Sequence, residues 1–143
     1  MENPCKIIFF GDALGDEIGK RFAEMLYERE PDHTIEISCN DFPKETTQDI
    51  IDHLGETLEQ HPDVVIVNLG RNDWQCGVSL NIFRMNLQTI IRDLKGHNIR
   101  TVLTTAWLNE VEQEKNNLKI NEYNKVILDV AQMEKVRVAD IWT

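Results

Sequence analysis

The sequence predicts an α/β fold: a flavodoxin-like three-layer α/β/α sandwich around a five-stranded parallel sheet of order 2-1-3-4-5. Short apolar runs, several of them β-branched, alternate along the chain with longer stretches whose apolar residues recur at helical spacing. Each apolar run stops at turn-forming or polar residues, as strands buried on both faces do. A strand–helix–strand alternation of this kind needs right-handed crossovers, hence a parallel sheet with helices on its faces.

Lys6-Ile7-Ile8-Phe9-Phe10 is the first strand and ends at Gly11-Asp12. A helix is expected from about Asp16 to Arg29, with Ile18, Phe22, Met25 and Leu26 on its apolar face. Thr34 to Ser38 alternates in polarity and reads as a strand nearer the sheet edge. Thr46 and Thr47 offer an N-cap to a second helix carrying Ile50, Ile51, Leu54 and Leu58. Asp63 to Leu69 is the most apolar stretch and the natural central strand. The third helix places Leu80, Phe83, Leu87, Ile90, Ile91 and Leu94 on one stripe, with Gly96 expected as its C-cap. Ile99 to Thr104 is the fourth strand, Leu118 to Met133 the fourth helix, and Val136 to Ala139 the fifth strand. Residues 1–143 are expected to form a single domain, with no repeat, low-complexity tract or linker.

Acidic residues outnumber basic ones 25 to 15, for a formal net charge of −10. Such a field repels phosphate backbones and anionic lipid, and the basic residues lie scattered beside acidic ones, so no nucleic acid is expected as a partner. No apolar run approaches the ~20 residues that span a bilayer. The start of the chain lacks the basic-then-apolar pattern of a secretion signal. Cys5, Cys39 and Cys76 are odd in number and widely spaced, which suits reduced, mostly buried thiols in a cytoplasmic protein.

In sheets of this order, ligands bind beyond the carboxyl ends of the strands, near the switch point between the first and third. Gly11-Asp12-Ala13-Leu14 follows the first strand, and Gly70-Arg71-Asn72-Asp73 follows the third. With these motifs the chain resembles the SGNH (GDSL-type) hydrolases, which carry Gly-Asp-Ser-Leu and Gly-x-Asn-Asp at the same two places. Leu94 to Leu103, Tyr123-Asn124 and Val136 to Asp140 extend the resemblance along the whole chain. It implies a carboxylic-ester hydrolase of the esterase or lipase class, needing no cofactor. In that family a Ser, activated by an Asp-oriented His, attacks the ester. Backbone N–H groups and the motif Asn then hold the oxyanion.

Carried over residue by residue, Asn72 is the oxyanion donor and Asp12 the hydrogen-bonding Asp beside the nucleophile. Gly70 and Asp73 complete the binding motif. Three departures follow. Ala13 stands at the nucleophile position, and a methyl group cannot attack a carbonyl. Lys44 stands where the second family block, here Cys39 to Thr46, has its oxyanion Gly. The family's Asp-x-x-His does not occur before Thr143, and Asp140 matches the fifth-strand Asp rather than the catalytic one. His33, His61 and His97 precede strands and belong to the amino-terminal edge, and His53 lies within the second helix, so no imidazole is expected near Asn72. Cys76, the only nucleophile near the carboxyl edge, and Cys39 read as structural.

The chain is therefore expected to be catalytically silent, with a small-molecule ester or anion as ligand. The alternative is a natural pseudoenzyme that binds a ligand or protein. Trp74, Trp107 and Trp142 follow strand ends, where core packing outweighs a ligand pocket. Glu110, Glu112 and Glu114 diverge at a helix start that favours acids, and no metal is expected. A flavin or phosphate module is disfavoured because Asp12 and Asp16 would face the phosphate. With the usual C-terminal segment lacking after the fifth strand, the sheet face near Ile7, Phe9 and Val138 is expected to be under-covered. A homodimer through that face is the expected partner.

Overall fold

The structure is a computed structural model that describes residues 4–12, 15–32, 34–106 and 110–140, with no side chain described for 15–19 or 110–118. Its elements run β1 (Cys5–Gly11), α1 (Gly15–Arg29), β2 (Ile35–Asp41), α2 (Thr47–Glu59), β3 (Val64–Asn68), α3 (Arg71–Gln75), α4 (Leu80–Gly96), β4 (Arg100–Thr104), α5 (Glu110–Glu134) and β5 (Arg137–Ala139). The strands form one sheet in the order β2-β1-β3-β4-β5, every pair parallel. The predicted class, strand order and central strand are those observed.

Register divides the sheet into two unequal faces. Ile8, Phe10, Val65, Val67 and Leu103 point to the side covered by α2, α4 and α5, and together with Ile50, Leu87, Ile91 and Val130 they form the core. Burying a large side chain there contributes about 1.5–3 kcal/mol, so this side carries most of the stability. On the other side Phe9, Ile66 and Val102 are register neighbours. Helix α1 covers β1 here, with Phe22 set edge-on against Phe9 at 5.1 Å between ring centres.

The under-covered part of this face lies elsewhere than the sequence suggests. Ile7 is buried. Val138, 36% exposed, pairs with core-facing Leu103 and so belongs to the opposite face. The open part is instead the end of β3, β4 and β5 around half-buried Val64 and Val102, with exposed Arg100 and Arg137 beside them. Side-chain alternation along each strand decides this, and a one-residue step reverses it.

The helix exits also differ from expectation. Gly96 is the last residue of α4, not its cap; the cap is His97, and Asn98 takes the left-handed conformation at φ 60°. Asn98 N–H donates to Lys95 O and Ile99 N–H to Leu94 O, the paired bonds of a Schellman exit. Lys135 (φ 55°) ends α5 in the same way, with Val136 N–H donating to Ala131 O. Helix α5 begins at Glu110, eight residues before the expected start, so the acidic cluster falls in its first turns. Helix α3, over the Gly-x-Asn-Asp motif, is too short to leave a periodic signal. Cys5 and Cys76 are exposed rather than buried, and no disulfide joins the cysteines. No helix among the described residues is long and apolar enough to cross a membrane.

Candidate functional site

Three strand-end segments meet at the carboxyl edge, and Gly11 is their junction. Its φ of 136° suits glycine, and a Cβ there would lie 1.9 Å from Asn68 O. That close approach lets Asp12 N–H donate to Asn68 O at 2.8 Å, while Gly11 O accepts from Phe42 N–H at 2.9 Å. The segments after β1, β2 and β3 are thus laced together through backbone groups. Gly70, the N-cap of α3, also has a φ of 128° that favours glycine. Asn68 closes the β4 side, its amide donating to Thr104 Oγ1 at 2.6 Å and Thr105 O at 3.2 Å.

Asp12 accepts the Asn72 backbone N–H on Oδ2 at 3.1 Å, and its Oδ1 has no hydrogen-bond partner among the described residues. Burial pushes this carboxyl up to about 7, the Asn72 bond opposes the rise, and neighbouring Asp73 adds to it. Asp73 is fully buried and points away from the strand end into the start of α2. It accepts Thr47 N–H on Oδ1 at 2.8 Å and Thr47 Oγ1–H on Oδ2 at 2.6 Å. Burial raises its pKa as well, against the lowering effect of the Thr47 bonds. Asn86 of α4 donates to the same Thr47 hydroxyl at 3.1 Å, so one network ties α2, α3 and α4.

The Asn72 side chain is already engaged. Its Nδ2 donates to Phe42 O at 3.1 Å and to Glu45 O at 3.0 Å, the two carbonyls that flank Pro43-Lys44. Phe42 to Glu45 is a tight turn closed by Glu45 N–H on Phe42 O at 3.3 Å. Pro at its second position and a φ of 68° at Lys44 are the pattern of a type II turn, whose third residue is normally glycine. Lys44 therefore holds a backbone conformation usual for glycine, with an exposed side chain.

The expectation that no imidazole approaches Asn72 needs correction at His53. Its ring stacks on Phe42 at 5.5 Å, and its Nε2 lies 3.4 Å from Glu45 Oε1, so it packs against the very turn that Asn72 holds. One α-helical turn separates His53 from Asp49 near the helix start, which is why a position inside α2 still reaches the loop before it. His61 and His97 do fall in the connections at the amino-terminal edge. Trp74 packs against the core. Ala13, His33, Trp107 and Trp142 lie outside the described residues.

The model of the GDSL-like lipase/acylhydrolase family matches residues 9–143. The chain belongs to this family of SGNH hydrolases. Solved structures agree on the fold. An acetyl xylan esterase, AlAXEase, superposes with a TM-score of 0.83 at 22% identity, covering 95% of this chain and 77% of that one. The acetylxylan esterase Axe2 from Geobacillus stearothermophilus gives a TM-score of 0.84 at 18% identity, covering 96% and 76%. TesA gives 0.75 at 21%, covering 93% and 76%. No curated protein matches in sequence.

Proposed function

We propose that this member of the SGNH family binds an ester or carboxylate-like small molecule at its carboxyl edge and does not hydrolyse it. The observation that carries the reading is the state of the two groups the chemistry needs most. Position 13 holds a methyl group in place of a hydroxyl, and the Asn72 amide nitrogen donates to two carbonyls of the Lys44 turn. An oxyanion donor must aim at the place where charge develops, and an amide occupied by carbonyls does not. Asn72 would serve a ligand only when the turn yields, and Lys44, at the family's Gly position, would then set an ammonium beside that ligand. Acetyl esters are the first class to try, as the names of the similar structures suggest. Three cysteines without a disulfide suit a reducing compartment, and we place the protein in the cytoplasm.

Hydrolysis of 4-nitrophenyl acetate tests the silence. Loss of a triad nucleophile removes roughly 10⁴- to 10⁶-fold in rate, so turnover should equal that of heat-denatured protein. Turnover above that control, abolished by Cys76→Ala, would assign the nucleophile to the exposed thiol and overturn the reading. Ala13→Ser alone should restore little, because His53, the imidazole packed against the Lys44 turn, is stacked on Phe42 and lies against Glu45.

A further inference from the structure

The open part of the sheet face holds a cavity of about 590 Å³ at the amino-terminal edge, far along the strands from Asn72. Its lining combines Val64 and Val102 of the uncovered face with four cations, Lys95, Arg100, Lys135 and Arg137. Arg100 and Arg137 belong to the open face, while Lys95 and Lys135 reach the groove from the ends of α4 and α5. Lys95 has a structural task, since its Nζ donates to Glu134 O at the end of α5. Arg100, Lys135 and Arg137 form no ion pair among the described residues. Of the nearby carboxylates, Asp63 accepts Lys6 N–H on one oxygen, and Glu134 pairs with Arg92.

Register fixes how the two arginines stand. Arg100 is the neighbour of Val64, and Arg137 is the neighbour of Val102, two residues further along β4. Both therefore project from the same face as the valines. One strand spacing and two residue rises put their Cβ atoms about 8 Å apart. Two arginine side chains rooted at that spacing on one face can both reach an anionic group placed between them and hold it through charge-assisted hydrogen bonds. Charged residues on a short edge strand are an ordinary guard against aggregation. That role needs no concave apolar floor beside them.

We propose that this groove binds an amphiphile with one anionic head and a single alkyl chain, the head between Arg100 and Arg137 and the chain along Val102 and Val64. The volume lies within the range of small-ligand sites. The site is separate from the carboxyl edge and holds whether or not that edge turns over ester.

Calorimetric titration with decanoate tests it, with decyl phosphate as a second head group and decanol and decyltrimethylammonium as controls. Saturable one-to-one binding of the anions is expected, weakening as salt rises, with decanol and the cation binding at least tenfold more weakly. Preference for decanoate or for decyl phosphate identifies the head the two arginines take. The double variant Arg100→Ser/Arg137→Ser should lose roughly tenfold or more in affinity. Both residues are exposed, and an unchanged thermal melt would confirm that the variant folds. Amide NMR shifts should move at Val64, Val102 and Arg137. Shifts centred on Phe42 and Asn72 instead, equal binding by the variant, or a dimer in sedimentation that excludes decanoate would overturn the proposal.

Discussion

Asp12 shows how a single side chain couples the site to pH. Its folded pKa is raised to about 7 by burial, so the protonated form is the one the fold favours. The stability this group contributes is complete below the ordinary carboxylate pKa and is lost as pH rises through about 7. Asp12→Asn keeps an oxygen for the Asn72 N–H and removes the charge. The variant should match the wild type near pH 4 and exceed it by about 1–3 kcal/mol at pH 8, read as the difference between two denaturation curves. Gly11 is the opposite case, a residue defined by what it lacks. A Cβ at 1.9 Å from Asn68 O has nowhere to go, and Gly11→Ala should lose roughly 3 kcal/mol or more, the combined effect of strain and overpacking. Lys44 sits between them: its left-handed φ of 68° predicts that Lys44→Gly is neutral or stabilising by up to about 1 kcal/mol, with the Asn72 contacts retained.

At the scale of elements, the helix ends carry information that composition hides. Helix α2 is held at its start by a residue 26 positions away: Asp73 accepts the Thr47 backbone N–H and hydroxyl, while Asp49 accepts the Thr46 N–H at 3.0 Å. A buried carboxylate at a helix N-terminus satisfies an orphan donor and complements the dipole. Asp73→Ala should therefore leave Thr47 unpaired inside the protein and lose roughly 2–4 kcal/mol, visible as a fall in Tm with α2 amides exchanging earliest. The exits of α4 and α5 use Asn98 and Lys135 in the left-handed region where glycine is usual. Lys135→Gly should raise stability by about 0.5–1 kcal/mol.

For the whole molecule, the unequal faces and the charge act together. One side of the sheet is closed by three helices and holds the main core, whereas among the described residues α1 is the helix on the other. With a net charge of −10, the folded chain repels itself more than the expanded one. Raising salt from about 0.01 to 0.15 M shortens the screening length from about 30 to 8 Å. Tm should rise by a few degrees on that change, and a flat Tm would show that the acidic residues are already locally compensated.

The class and the sheet order were legible in the sequence because each rests on local rules. Runs such as Lys6 to Phe10 and Asp63 to Leu69 can pair only as buried parallel strands, and right-handed crossovers then leave few orders to choose from. The residues at 12, 13, 44, 70, 72 and 73 were singled out by their resemblance to the family's motifs, which lie in the segments after β1, β2 and β3. Tertiary structure alone decided what those residues touch. Asn72's amide is spent on the Lys44 turn, Asp73 turns inward to α2, and His53 comes against Phe42. These contacts join residues separated by 11 to 30 positions and depend on angles between elements, which no local pattern encodes. The basic groove is of the same kind: Val64, Arg100, Val102 and Arg137 come from three strands and become neighbours only through register.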